Sequence, residues 1–268
     1  MMRANRLIAI LTDFGGRDPY VGVMKGVIKN INPSAEFIDI TNNVSRHSIL
    51  AGAFALYTSY RYFPQETVFL VVIDPGVGTK RKPILVKTKN YYFIAPDNGV
   101  LYPTVVDDGI EKIIWLKNKD YFLERISETF HGRDIFAPST AYVSKGVDIE
   151  DMGERIDLKD IVKLELIHYE TQAERIRFRV NYIDVFGNVI TSVPNEILSL
   201  QENSKLKLYL GRRELPVRVV RTYAQGKKGE LLILYGSQGF LEIAINQGDA
   251  SKYLGINIGD QMILSTKH

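Results

Sequence analysis

The sequence has no cysteine. That excludes a disulfide framework, a thiol nucleophile and Cys-based zinc or iron–sulfur sites. Histidine is scarce too, at four residues: His47, His131, His168 and His268. No HxH or HExxH pattern joins any of them, so no metal site is expected. TDFGG near the start is not a dinucleotide fingerprint, because it lacks GxGxxG, and no GxxxxGK followed by Ser or Thr supplies a P-loop. Long apolar runs are missing as well. The first, LIAIL (Leu7 to Leu11), is too short for a signal peptide and far below a membrane span. A cytoplasmic protein with no membrane partner is therefore expected. Charge of one sign is also lacking: 34 Lys and Arg against 31 Asp and Glu leave a formal +3. So mild a bias points to no nucleic-acid partner. The densest basic run, RRELPVRVVR (Arg212 to Arg221), alternates like an ordinary strand, without interleaved recognition aromatics.

What is present is a chain of 268 residues, 45% hydrophobic, with room for two domains. LIAILT, FIDIT and VFLVVID read as short buried strands. Between them lie helical patterns, one with Val21, Met24, Val27, Ile28 and Ile31 on one face and one running through LAGAFALYTSYRYF. Asp18 followed by Pro19 looks like the cap of the first helix, and Ser45 like the start of the second. Alternation of strand and helix implies an α/β fold with a mainly parallel sheet under covering helices. From about Ile176 the texture changes to short β runs separated by turns, as in RIRFRVNYID, GNVITSV, KLKLYL and ELLILYG. That favours a C-terminal β-barrel domain or a small sandwich. The expected organisation is an N-terminal α/β domain over 1–165, a connection over 166–175 and a β domain over 176–268.

Chemistry is expected beyond the C-terminal ends of the strands in such a sheet. Asp13 and Asp74 both fall there. In VVIDPGVGTKRKPILV, Pro75, Gly76 and Gly78 suit a turn, yet the same loop can hold the Asp74 carboxylate opposite Arg81. Asp13 can bind a sugar diol or order its own loop, and position alone leaves both readings open. His131 in FHGRDIF sits at a loop-to-helix transition, where a structural role is equally open. In DVFGNV, Asp184 and Asn188 can meet an amine or a purine edge, or form a tight turn.

Taken together, TDFGGRDPYVG, IDPGVGTKR, APDNGVL, FHGRDIF, DVFGNV and YGSQGFLEIAINQG closely resemble the S-adenosyl-L-methionine (SAM) hydroxide adenosyltransferase family, relatives of SAM-dependent fluorinases and chlorinases. The resemblance runs from near Leu7 to about Asp260. It implies SAM hydrolysis to adenosine and L-methionine, with no cofactor, in a homotrimer whose sites lie between neighbouring subunits. It implies a hydrolytic set of Asp74, Arg81 and His131. Sugar contacts carry over to Asp13, a methionine contact to Asp18, the amine contact to Asp184 and a nucleoside contact to Asn188. Ser237, Gln238 and Ala244 fall in the segment resembling the adenine-binding stretch. Tyr20 stands where a halogenase of this kind favours a small hydroxyl residue. A halogenase and a non-catalytic SAM-binding regulator are the alternatives to hydrolysis.

Overall fold

The computed structural model describes residues 7–266, so His268 lies outside the described residues. The chain divides after Leu164 into two compact units. In the first, β1 (Ile8–Thr12), α1 (Tyr20–Ile31), β2 (Phe37–Thr41), α2 (Ile49–Ser59) and β3 (Val68–Val72) follow one another. Then come β4 (Pro83–Thr88), β5 (Tyr92–Pro96), α3 (Tyr102–Asp108), β6 (Ile110–Leu116), α4 (Ala137–Ser144) and β7 (Gly153–Arg155). The strands form one mixed sheet in the order β2-β1-β3-β5-β4-β6-β7. Pairing is parallel from β2 through β5 and antiparallel from β5 through β7. Both faces are covered, which is why β1, β3 and β5 read as unbroken apolar runs rather than alternating ones. On one face, Ile8, Ile10, Leu70 and Ile94 pack with Met24 and Ile28 of α1 and Ala137 and Ala141 of α4.

Two helix starts differ from the sequence expectation. α1 begins at Tyr20, with Pro19 in the capping position and no side-chain cap. The Pro19 carbonyl already accepts the Val23 N–H at 2.9 Å, which leaves Asp18 outside the helix and exposed. α2 begins at Ile49 rather than Ser45, because His47 has a φ of 62° and interrupts any earlier helical turn. Ser48 is the cap, accepting the Ala51 N–H at 3.3 Å.

The second unit contains β8 (Tyr169–Gln172), β9 (Arg175–Ile183), β10 (Val189–Pro194), β11 (Lys205–Leu210), β12 (Arg213–Val219), β13 (Leu231–Tyr235), β14 (Phe240–Ile245), α5 (Ala250–Leu254) and β15 (Gln261–Ser265). Seven of these strands run β10-β14-β13-β12-β11-β15-β9, and pairing of β9 with β10 closes the ring into a barrel. Closure leaves no open edge among those strands. β8, within the stretch read as a connection, pairs with β9 outside the ring. Alternate residues such as Ile176, Phe178 and Val180 of β9 and Leu206 and Leu208 of β11 fill the interior. Each buried aliphatic side chain of this kind contributes about 1.5–3 kcal/mol relative to exposure.

Candidate active site

β3 and β4 are not a hairpin. β5 lies between them in the sheet, so residues 73–82 must cross the strand ends. The APDNG motif clamps this crossing loop at both ends. Asn98 donates through Nδ2 to the Ile73 carbonyl at 2.8 Å, and the Asp97 N–H donates to the Lys82 carbonyl at 2.8 Å. Inside the loop, Thr79 Oγ1 donates to the Gly76 carbonyl at 2.7 Å, folding it on itself. Gly78 has a φ of 77°, and a Cβ there would lie 2.5 Å from the Glu128 carbonyl oxygen. Only glycine permits that approach. The contact brings the loop bearing Asp74 and Arg81 against the segment bearing His131.

The three side chains meet. Arg81 Nε donates to Asp74 Oδ1 at 2.9 Å and Nη2 donates to Oδ2 at 2.5 Å, a fork-to-carboxylate pair. The pair is nearly closed off from solvent, with 9% of the Arg81 and 6% of the Asp74 side chain exposed. Arg81 Nη2 also lies 2.7 Å from His131 Nδ1, and its guanidinium carbon is 5.1 Å from the centre of the Phe136 ring. Arginine only donates, so Nδ1 must accept, which leaves a neutral imidazole with its proton on Nε2. Burial, and then the Arg81 charge, push the His131 imidazole below its ordinary value, which is consistent with that neutral form.

His131 precedes a turn of π-helix, Gly132–Phe136, that runs into α4. Such widened turns concentrate at functional sites. Asp134 within it is fully buried and accepts the Ser127 N–H at 2.8 Å and Arg133 Nε at 2.5 Å. Burial alone would raise its carboxyl, but the bonds from Arg133 and Ser127 outweigh that and hold it below the ordinary range. Asp74 and His131 open onto a cavity of about 380 Å³ shared with Phe14, Tyr20, Phe130 and Arg133. Phe14, Tyr20 and Phe130 pack edge-on or tilted at 5.1–6.0 Å, giving the cavity an aromatic wall. Arg81 stands behind this lining. Asp13 and Asp18 do not line it either. Asp13 follows β1 and accepts the His47 N–H at 2.8 Å, so the positive φ at His47 serves that bond.

In the barrel unit a second cavity of about 520 Å³ is lined by Asp184, Phe186, Asn188, Tyr223, Ile245, Gln247 and Gly248. Asp184 Oδ1 accepts the N–H groups of Phe186 and Asn188 at 2.9 and 2.8 Å, and Oδ2 accepts Asn188 Nδ2 at 2.9 Å. Three of the cavity's lining residues, Asp184, Phe186 and Asn188, thus belong to one turn. Gly187 has a φ of 83°, and a Cβ there would sit 2.2 Å from the Asp249 carboxyl carbon. Ser237 and Gln238 lie on the exposed turn that precedes β14, at the opposite end of that strand from Ile245 and Gln247. Ala244 is fully buried. None of these three lines the cavity.

Comparison with known proteins matches both units of the chain to one family. The SAM hydroxide adenosyltransferase N-terminal domain matches residues 8–153, and the C-terminal domain of the same name matches residues 178–263. The chain belongs to the SAM hydroxide adenosyltransferase family. One relative, named (R)-S-adenosyl-L-methionine hydrolase, comes from Methanocaldococcus jannaschii. It is 33% identical, with 96% of this chain and 94% of the relative covered. A protein named fluorinase from Nocardia brasiliensis is 25% identical, with 90% of each covered. A solved structure from Thermotoga maritima, described as an uncharacterized conserved protein, superposes with a TM-score of 0.88 at 41% identity. That match covers 96% of this chain and 99% of the other.

Sequence reading of the family motifs missed four residues that the structure ties to these cavities. Asn98 was visible inside APDNG, and Asp134 inside FHGRDIF, but neither motif says what its polar residue holds. Glu242 was likewise visible inside YGSQGFLEIAINQG without any hint of its partner, and Tyr223 carried no signal at all. Their hydroxyl–carboxylate bond joins a loop to a strand 19 residues away. Among the described residues, no group of three or more metal-ligating side chains gathers, and no helix is long and apolar enough to cross a membrane.

Proposed function

We infer that the chain hydrolyses SAM to adenosine and L-methionine by attack of a water oxygen on the ribose C5′. The observation that carries this is the hydrogen-bonded Asp74–Arg81–His131 group opening onto an aromatic-walled cavity, in a chain 33% identical to a SAM hydrolase over nearly its whole length. The C5′–S bond breaks as the O–C5′ bond forms, and the electron pair passes to sulfur. That neutralises the sulfonium, so the leaving group needs no metal or cofactor to activate it. What remains for the protein is to hold one water in line and keep competing solvent out.

The three polar residues divide this work by their bonding capacity. Arg81 cannot accept a proton. The His131 Nδ1 lone pair is committed to Arg81, so its Nε2–H is left to donate. Asp74 retains lone pairs beyond those facing Arg81, and it takes the hydrogen bond of the attacking water. Arg81 orients both neighbours. For substrate binding, Asp13 suits the ribose diol, Asp18 the methionine portion, Asp184 the amine and Asn188 the nucleoside. Phe186 and Tyr223 offer aromatic surface for the purine. Ser237 and Gln238 would contact the ligand from their exposed turn, and Ala244 would act through packing. The family resemblance supports a homotrimer in which a neighbouring subunit's barrel completes each site, and the lack of cysteine in the sequence supports a cytoplasmic setting.

Purified protein in metal-free buffer is expected to form adenosine and methionine in equal amounts. With oxygen-labelled water, the label belongs at the 5′ oxygen of adenosine. Halide salts added in parallel separate hydrolysis from halogenation, since a halogenated nucleoside replacing adenosine would overturn the assignment. Binding of SAM without any product would leave a regulator instead. For the assembly, mixing an Asp74 variant with an Asp184 and Asn188 double variant under subunit exchange, assayed at SAM well below KM, should restore turnover beyond that of either parent. No recovery after verified exchange would remove the shared site.

A further inference from the structure

Glu242 is a buried ionisable group that the hydrolytic chemistry does not use. On β14, Leu241, Ile243 and Ile245 point into the barrel core, which turns Phe240, Glu242 and Ala244 to the outer face. Ala244 there packs with Val220, Leu232 and Leu234 in a small apolar patch. Glu242 sits beside that patch with only 7% of its surface exposed. Its Oε1 accepts the Tyr223 hydroxyl at 2.5 Å. Burial pushes the Glu242 carboxyl up, the Tyr223 bond opposes this, and the nearby Asp184 charge adds to it. Burial and the Glu242 bond also push the Tyr223 phenol up, so its hydroxyl keeps its proton and donates. A carboxylate in such surroundings is unfavourable unless its bond does something an apolar residue cannot.

What the bond holds is the Tyr223 ring. Tyr223 opens a single short helical turn, Tyr223–Gln225, in the connection between β12 and β13, and the residue is 44% exposed on the wall of the 520 Å³ cavity. We propose that Glu242 is a positioning residue that ties down the Tyr223 hydroxyl and so fixes the cavity wall on which the nucleoside end of SAM rests. Without the tie, the ring must be ordered at the moment of binding, which weakens binding but leaves bond breaking at C5′ alone. This role rests on the reading that the barrel cavity holds part of SAM.

The test is steady-state kinetics and SAM calorimetry on Glu242→Ala, Tyr223→Phe, their double variant, Glu242→Gln and Asn188→Ala. Glu242→Ala and Tyr223→Phe should each raise KM about 3- to 10-fold with kcat within about twofold. The double variant should be no worse than either single one, because both remove the same bond. Glu242→Gln keeps an acceptor oxygen in the same place and should restore KM to within about twofold of wild type. A wild-type KM for Glu242→Ala would overturn the role, as would additive effects in the double variant. Loss of kcat and KM together with lowered thermal stability would reduce Glu242 to a packing residue. If Asn188→Ala also leaves KM unchanged, the reading of the cavity itself fails, and the Glu242 role falls with it.

Discussion

The two cavities are built in opposite ways. In the α/β unit, Asp74, Arg81 and His131 come from two loops 50 residues apart at their widest bond, and the Asp74 and Arg81 charges are spent on one another out of solvent. In the barrel, Asp184 and Asn188 are four residues apart in one turn, and the carboxylate is satisfied by that turn's own N–H groups. A long-range charged group depends on everything that holds its loops, whereas a local turn carries its geometry wherever the strands put it. The first arrangement suits chemistry, where a fraction of an ångström matters; the second suits binding. Substitutions in the first should therefore act on turnover and folding together, and substitutions in the second on KM.

The largest effect is expected from Asp74→Asn. It keeps the side-chain size but removes the charge opposite Arg81, one of the two acceptor oxygens and the capacity to take a proton from water. Turnover should fall about 100- to 1,000-fold, while SAM affinity measured by calorimetry stays within a few fold. Leaving the Arg81 charge opposite a neutral amide should also lower stability in denaturant unfolding, by up to about 3–5 kcal/mol. Near-wild-type kcat would remove Asp74 from the chemistry and erase the contrast between the two cavities.

Next comes the pH profile. His131 has a folded-state pKa below its ordinary value. Its neutral form is therefore fully present above about pH 6.5, and protonation sets in only as pH falls through the lower folded value. A proton on Nδ1 would face the Arg81 donor, so kcat should decline along an acid limb centred below about 6.5. The stability linked to the neutral ring is lost over the same falling-pH window. His131→Gln retains an acceptor for Arg81 but no titration, and its kcat profile should lack that limb. An acid limb that persists unchanged in the variant would assign it to another group.

Asn98→Ala should act through position alone. It frees the Ile73 carbonyl next to Asp74 at a cost of about 1–3 kcal/mol. The expected signature is a kcat lowered about 10-fold with KM unchanged, which single-turnover measurement can assign to the chemical step. A change confined to KM would show that the clamp does not reach Asp74.

These contrasts also explain what could be read from the sequence. The buried runs LIAILT and VFLVV announce an internal strand by lacking alternation, and RIRFRV announces a half-buried one by having it, so the two fold types were legible. The helix starts were less so, because the positive φ at His47 is set by the Asp13 bond across the loop, 34 residues away. The DVFGN turn was legible because every bond to its Asp184 carboxylate is local. Asp74 opposite Arg81 was legible within one loop, but that His131 joins them came only through resemblance to known motifs. The clamp by Asn98 and the Glu242–Tyr223 bond stayed hidden, since each depends on pairings between distant strands.

The smallest effect is expected at the turn before β14, and it tests how far the barrel's binding surface extends. Ser237 and Gln238 are exposed there, away from the cavity that Asp184 and Asn188 line. Asn188→Ala removes one hydrogen-bonding side chain inside the cavity and should raise KM about fivefold, the equivalent of one net hydrogen bond. Ser237→Ala with Gln238→Ala removes solvent-exposed groups, whose bonds to a ligand replace bonds to water, so KM should rise only about two- to threefold. Measured side by side, the two variants map the ligand along the strand. A larger effect at Ser237 and Gln238 than at Asn188 would move the main binding contacts out of the cavity and onto the turn. No effect at the turn would confine the barrel's share of SAM binding to the residues around Asp184.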